Sequence, residues 1–471
     1  MGFFNGSNSS ELIVGSNEND TIRGGKGDDT ILGGGGADLL RGNRGADSIE
    51  GGEGVDTLRG GRGNDTLIGN TEGDRIIGGK GDDLFVWNNG DGSDTMRGGR
   101  GFDTVQVNGA IDAGDNFELR ANGDRAEFER LNLGNFVLDV DDVEQFEING
   151  LGRDDTLTVQ DLTGTDVQQV IFNGADGNDL LDASLSNTAI MANGGAGEDL
   201  LSGSSVPEIT DTLDGGIGND TIIGNQGADL KIGGDGDDRL IWNNGDGSDT
   251  MEGGHDFDVV EVNGAVDAGD NFELRANGHR AEFERLNLGN FVLDVDDVEQ
   301  FEINGLGGDD TLTVQDLTGT DVQQVIFNGA DGNDLLDASL SNVSVIADGG
   351  AGEDTLLGGS ADDTLIGGNG NNIYTGGAGA DVFVVSFDGI DVINDFNRFE
   401  GDILQISRSE FGVSSIDDLT YDNATGILSV RDTQIADINL DTISPTNSDP
   451  NSSLALSSSP IFVPGEDLQL V

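Results

Sequence analysis

An aspartate recurs at every ninth residue near the start of this 471-residue chain. The column runs Asp20, Asp29, Asp38, Asp47, Asp56, Asp65, Asp74 and Asp83, then Asp94 and Asp103 after a two-residue slip at Trp87 and Asn88. Two residues beyond each aspartate stands an apolar side chain: Ile22, Ile31, Leu40, Ile49, Leu58, Leu67, Ile76, Phe85, Met96 and Val105. Units such as GGKGDDTIL, GGEGVDTLR and GGRGNDTLI reduce to G-G-x-G-x-D-x-U-x, with U apolar. Glycine turns leave carbonyls exposed, and carbonyls plus regularly spaced carboxylates are ligands for a hard divalent cation. Ca2+ takes roughly six to eight oxygens, whereas Mg2+ prefers a tight octahedron and keeps its water. With 2 histidines and no cysteine, imidazole and thiolate are nearly absent, which argues against zinc and copper. The chemistry expected of the column is calcium binding.

Such ligands need elements that stack them. The x-U-x segment fits a short β-strand with one inward side chain, and the six residues before it fit a turn. One apolar side chain per nine residues cannot hold a unit alone, so units must stack. Stacking at a strand spacing of about 5 Å buries the apolar column, but it also brings the aspartates into a self-repelling register. A cation between turns removes the conflict. A second array, about 174–261, supplies Asp179, Asp199, Asp220, Asp229, Asp238, Asp249 and Asp258. It is interrupted at Ser204–Thr210, and Asp256 replaces a turn glycine, which puts that site in doubt. A third, about 329–384, supplies Asp334, Asp354, Asp363 and Asp381, with Asn372 in an aspartate slot whose site is expected to be weak or lost.

These nonapeptides resemble the calcium-binding RTX (hemolysin-type) repeat family. The resemblance implies a right-handed parallel β-roll in which two nonapeptides make one coil. It therefore pairs Asp20 with Asp38, and Asp29 with Asp47, along two separate edges. No unit matches an EF-hand loop, and the glycine turns lack the G-K-[ST] of a phosphate loop.

Asp+Glu 90 against Lys+Arg 22 give a formal net charge of -68. That acidity argues against nucleic acid bound through phosphate neutralisation and against anionic lipid bound by a basic patch. With Gly 79 and Pro 5, a collagen triple helix is excluded. No apolar run approaches the roughly 20 residues of a spanning helix, so membrane insertion is not expected. Self-repulsion and 34% apolar content would suggest disorder. Read in phase, the charge instead describes a calcium-free chain that folds when metal binding supplies the free energy.

Residues 1–14 lead into the first array, 15–106. Between the arrays lie spacers at 107–173 and 262–328, near copies that differ at Ile111/Val266, Asp124/His279 and Arg153/Gly308. The copied block runs from about Asp82 to Asn187 and recurs 155 residues later. Each spacer reads as β, with Asn-Gly and Leu-Gly turns and five phenylalanines (Phe117, Phe128, Phe136, Phe146 and Phe172 in the first). A small core of its own is expected there, as wider rungs or a compact β insert. Short helical turns are expected near 409–411 and 415–419. Residues 385–440 resemble the β-rich cap of RTX rolls. Residues 441–471, rich in Ser, Asn and Pro, read as a disordered tail ending IFVPGEDLQLV, similar to the C-terminal signal of type I secretion substrates. MGFFNGSNSS lacks the features of a Sec signal.

No separate catalytic domain is expected. His255 and His279 are read as exposed substitutions, Asp141 and Asp142 as a solvated turn, and Trp87 and Trp242 as core or edge packing. The sequence thus points to a non-enzymatic, all-β, calcium-binding protein, and the resemblance implies a β-roll that is secreted, extracellular or at the cell surface. Its expected partners are Ca2+, the type I secretion machinery and possible surface polysaccharide or matrix components, with no nucleic acid. Two alternatives remain open: an adhesin that binds through its spacers, and a carbohydrate-active β-helix enzyme of epimerase or lyase type.

Overall fold

The computed structural model describes residues 2–407, 411–412, 418–422, 424–440 and 468–470. The fold is an all-β parallel solenoid, with no helical element among the described residues. The chain divides into two compact units, residues 1–240 with 245–256, and residues 241–244 with 257–471.

In the first unit, successive nonapeptides alternate between two parallel sheets. One sheet takes Thr21–Lys26, Leu39–Arg44, Thr57–Arg62, Arg75–Lys80 and Thr95–Arg100. The other takes Thr30–Gly35, Ser48–Glu53, Thr66–Asn70, Leu84–Asn88 and Thr104–Asn108. The apolar column therefore splits in two. Ile22 pairs with Leu40, then Leu58, Ile76 and Met96. Ile31 pairs with Ile49, then Leu67, Phe85 and Val105. All ten side chains are fully buried.

The strands are longer than the three residues expected, because pairing continues into the glycine turn, as at Gly34 opposite Gly52. Gly52 has φ of 107°, and a β-carbon there would collide with the Gly34 carbonyl oxygen. Gly52→Ala is expected to cost more than about 1 kcal/mol. A lowered urea midpoint in calcium would show it, and an unchanged midpoint would contradict such close stacking.

The first spacer continues the roll and has no separate core. Val105 is followed in register by Phe146, Val170 and Ile190. Meanwhile Asn116–Asn122, Arg125–Arg130 and Val137–Asp141 form an antiparallel excursion within the other sheet. Its outer strands rejoin the parallel ladder, one against Thr156–Val159 and the other against Thr95–Arg100. The expected wider rung and the expected insert are thus one structure. All five phenylalanines are buried. Trp87 stacks on Phe136 at 3.7 Å between ring centroids, which places this tryptophan in the core. An amide ladder runs beside the rungs, with Asn108 donating to Asn88 (2.9 Å), Asn149 to Asn108 (3.0 Å) and Asn173 to Asn149 (2.8 Å).

The second unit repeats this pattern with its own copy. Val260, Phe301 and Val325 stay in register, and Asn271–Asn277, Arg280–Arg285 and Phe291–Asp296 make the excursion. Trp242 stacks on Phe291 at 3.8 Å. At the C-terminal side, Leu419–Asp422, Ile427–Val430 and Thr433–Leu440 form an antiparallel meander. Its last strand lies parallel to Asp391–Phe396. The Phe411 N–H donates to the Ser407 carbonyl at 3.2 Å, a bond of helical spacing. The rest of the two expected helical turns falls largely outside the described residues. So does the tail, apart from Leu468–Leu470, which adds a strand parallel to Ile403–Ile406.

Candidate metal centre

All twenty-one aspartates of the repeat column are buried. The coil places like turns together, so each carboxylate meets the backbone one coil earlier. Along one edge the Asp20 N–H donates to Asp38 Oδ1 (2.6 Å), Asp38 to Asp56 (2.7 Å), Asp56 to Asp74 (2.7 Å) and Asp74 to Asp94 (2.8 Å). Along the other, Asp29 donates to Asp47 (2.8 Å), Asp47 to Asp65 (2.8 Å), Asp65 to Asp83 (2.9 Å) and Asp83 to Asp103 (2.8 Å). Later coils repeat the bond: Asp179 to Asp199 (2.6 Å), Asp199 to Asp220 (2.8 Å), Asp220 to Asp238 (2.7 Å) and Asp229 to Asp249 (3.0 Å). In the second unit Asp334 donates to Asp354 (2.8 Å) and Asp363 to Asp381 (2.9 Å). Asp258 instead donates to Glu299 at 2.9 Å.

One carboxylate oxygen is thereby satisfied, and at most rungs the other is not; at Asp20 and Asp363 it accepts from Ser16 and from the Gly359 N–H. The Oδ2 atoms of Asp29, Asp47, Asp56, Asp65, Asp74, Asp83, Asp179, Asp199, Asp220, Asp334 and Asp354, among others, are buried without a hydrogen-bond partner. Burying a charge without compensation is costly. Burial pushes the Asp74 and Asp229 carboxyls up to about 8, and those of Asp65, Asp83, Asp94 and Asp363 up to about 7. The backbone hydrogen bond offsets part of this, and like-charged neighbours such as Asp56 and Asp94 around Asp74 add to it. An all-oxygen donor set with an orphaned anionic atom in nearly every coil fits Ca2+.

The ladders include residues that the nonapeptide frame misses. The Asp103 N–H donates to Glu144 (2.8 Å), and Asp115 to Asp155 (2.6 Å), which continues to Asp179 (2.7 Å). Asp270, Asp310 and Asp334 form the same series in the second unit, at 2.6 and 2.7 Å. The break at Ser204–Thr210 is a longer turn, because Asp211 takes the slot and donates to Asp229 at 2.8 Å. Asn372 keeps the ladder without the charge, accepting from Asp354 and donating to Asp391, both at 3.0 Å. Asp381 donates to Asp402 at 3.1 Å. A signal for two of these was present: GLGRDDTLT and GLGGDDTLT carry Asp155 and Asp310 at the sixth position of a worn nonapeptide.

At Asp115, Asp249 and Asp270 the protein supplies its own cation. Arg130 is buried, its Nε 2.7 Å from Asp115 Oδ1 and its guanidinium 5.6 Å from the Trp87 ring centroid. Arg285 does the same for Asp270 at 2.7 Å. Lys231 occupies the apolar column itself, opposite Leu213 and Met251, fully buried with Nζ 3.0 Å from Asp249 Oδ2.

The His255 and His279 side chains are 84% and 77% exposed. Asp141 ends a strand and Asp142 has φ of 52°; both face Arg97, at 3.6 and 2.8 Å, so this pair is an ion-paired edge and more than a solvated turn. No helix among the described residues is long and apolar enough to cross a membrane.

A family model described as RTX calcium-binding nonapeptide repeat (4 copies) matches residues 5–40, 32–67, 68–86, 88–109, 209–240 and 348–383. No curated protein matches the chain by sequence. Among solved structures, the crystal structure of extracellular lipase LipA from Serratia marcescens is similar over 57% of this chain, at 19% identity and a TM-score of 0.17. The similar region spans 43% of that lipase's length.

Proposed function

Since the chain is an RTX calcium-binding nonapeptide-repeat protein, we propose that it leaves the cell unfolded through type I secretion and folds outside, where its aspartate ladders bind Ca2+. Its role there is structural, as a non-enzymatic component of the cell surface or matrix. The observation that carries this reading is the series of buried Oδ2 atoms without partners, on carboxyls that burial pushes up to about 6–8. Bound Ca2+ supplies the counter-charge and coordination those oxygens lack. The ladder aspartates contribute one oxygen to hold the neighbouring coil and keep the other for metal. Glycines of positive φ, such as Gly25 (120°) and Gly27 (101°), shape the turn between them. In a calcium-poor cytosol the ladders repel, and the chain stays extended and exportable.

Extracellular calcium modules bind at roughly 10⁻⁴–10⁻³ M. Titrating the full chain with millimolar Ca2+ is therefore expected to convert a coil-like circular-dichroism spectrum to a β spectrum. Small-angle scattering should show compaction over the same range, and chelator should reverse both. A spectrum that does not change between chelator and millimolar calcium would overturn the proposal.

A further inference from the structure

The net charge of -68 conceals a strongly cationic face. Ten of the chain's 22 Lys and Arg residues lie between residues 23 and 100, and the coil puts all ten on one sheet of the first unit. Lys26 lies opposite Arg44, and Arg62 opposite Lys80, which lies opposite Arg100. Arg44 and Arg62 adjoin through the bond from the Gly45 N–H to the Arg62 carbonyl at 2.9 Å, so this row is unbroken over five strands. A second row, Arg23, Arg41 and Arg59, runs beside it before Ile77 interrupts. The outward positions of these five strands carry no Asp or Glu and no aromatic residue. The opposite sheet of the same array carries Glu50 and Glu53 and no Lys or Arg.

Like charges placed directly across neighbouring strands destabilise a sheet. A chain this rich in carboxylates has ample means to pair them, and elsewhere it does: Arg120, Arg125, Arg275 and Arg280 each sit in ion pairs. Of the ten cations only Arg97, which lies beyond Ile77 and outside the two rows, has an ion-pair partner among the described residues. Shallow grooves run between the cations, one lined by Arg41, Arg44, Arg59 and Arg62.

We propose that these rows form a docking face for a linear acidic polysaccharide, a polyuronate lying along the roll axis. Successive cations in a row are spaced by one strand separation, about 4.7–4.9 Å. A linear uronate polymer carries one carboxylate per sugar at a rise close to that. Phosphates of a duplex strand rise about 3.4 Å each along the helix axis while winding around it, so they do not keep to a straight row in step with the cations, and the face offers no aromatic platform on which single-stranded bases would stack. A bilayer surface calls for apolar side chains beside the charge, and the outward rows are nearly devoid of them. This proposal goes beyond calcium-driven folding and rests on the folded roll.

The test uses the calcium-loaded full chain and an oligogalacturonate too short to gel with calcium, with binding followed by calorimetry. Binding that weakens with added salt is expected. The variant Lys26→Gln/Arg44→Gln/Arg62→Gln/Lys80→Gln should bind at least about tenfold more weakly, with an unchanged β spectrum and calcium midpoint. Arg44→Lys/Arg62→Lys should retain binding. Circular dichroism on the same samples separates a roll that fails to form from a face that fails to bind. Undiminished affinity in the glutamine variant would overturn the proposal. So would no binding by a folded parent, or equal affinity for a single-stranded oligodeoxynucleotide or for phosphatidylglycerol vesicles.

Discussion

Exchanging Lys231 for leucine is expected to destabilise the protein by about 3–5 kcal/mol, the usual cost of removing one partner from a buried ion pair. The loss would occur although leucine is what the column calls for, since Leu213 and Met251 are the neighbours in register. Lysine is almost never fully buried unless paired. Here its ammonium lies 3.0 Å from a carboxylate that is itself wholly buried. Leucine would improve the apolar packing and leave the Asp249 charge without its counter-ion. Urea unfolding in calcium is the measurement. The double variant Lys231→Leu/Asp249→Asn should recover most of the loss, because the uncompensated charge goes with its partner. A single variant as stable as the parent would show that Lys231 does not neutralise this rung.

The second large effect is a change of sign. Asp65→Asn is expected to stabilise the calcium-free roll by about 1–3 kcal/mol and to weaken calcium binding at its coil by at least tenfold. Asp65 Oδ1 accepts from the Asp47 N–H at 2.8 Å, while Oδ2 is buried and partnerless. Asparagine keeps the first interaction. Asn372 shows this within the same chain, accepting from the Asp354 N–H at 3.0 Å. It also removes the charge that burial penalises, together with its repulsion from Asp47 and Asp83. What is lost is an anionic ligand. Asp65→Ala separates the effects, since it forfeits the backbone hydrogen bond as well and should destabilise the roll with or without calcium. Melting curves over a calcium series, from just above the folding midpoint to several millimolar and extrapolated to zero calcium, provide the comparison. An asparagine variant less stable than the parent both at the extrapolated limit and in millimolar calcium would mean that the ladder's carboxylates serve packing alone.

Much of this was legible because the nonapeptide ties chemistry and geometry to one period. The same frame that spaces Asp20 from Asp29 spaces Ile22 from Ile31, so ligand and core were read together. Asp115 and Asp211 were not legible, because insertions move them off the ninth residue, and only the folded turn returns them to the ladder. Lys231 broke the pattern by type; what a lone lysine does in an apolar column depends on Asp249, which lies one coil on. The cationic rows were hidden differently. They alternate between the ninth position of one repeat and the third of the next, as in Arg23 and Lys26. Net charge averages them away, and only strand register sums them.

The spacer's excursion ends where it began, with Val105, Phe146 and Val170 in one register. A slip of one residue on the way would have turned every later core side chain outward. Because entry and exit match, the segment behaves as a cassette, and a gene can copy it without rewriting the rungs downstream. The near-identical second copy, which likewise returns Val260 to Phe301 and Val325 in step, is what such an inheritance would leave. Length in this protein is open to change by recombination, in whole blocks, at no cost to the reading frame of the fold.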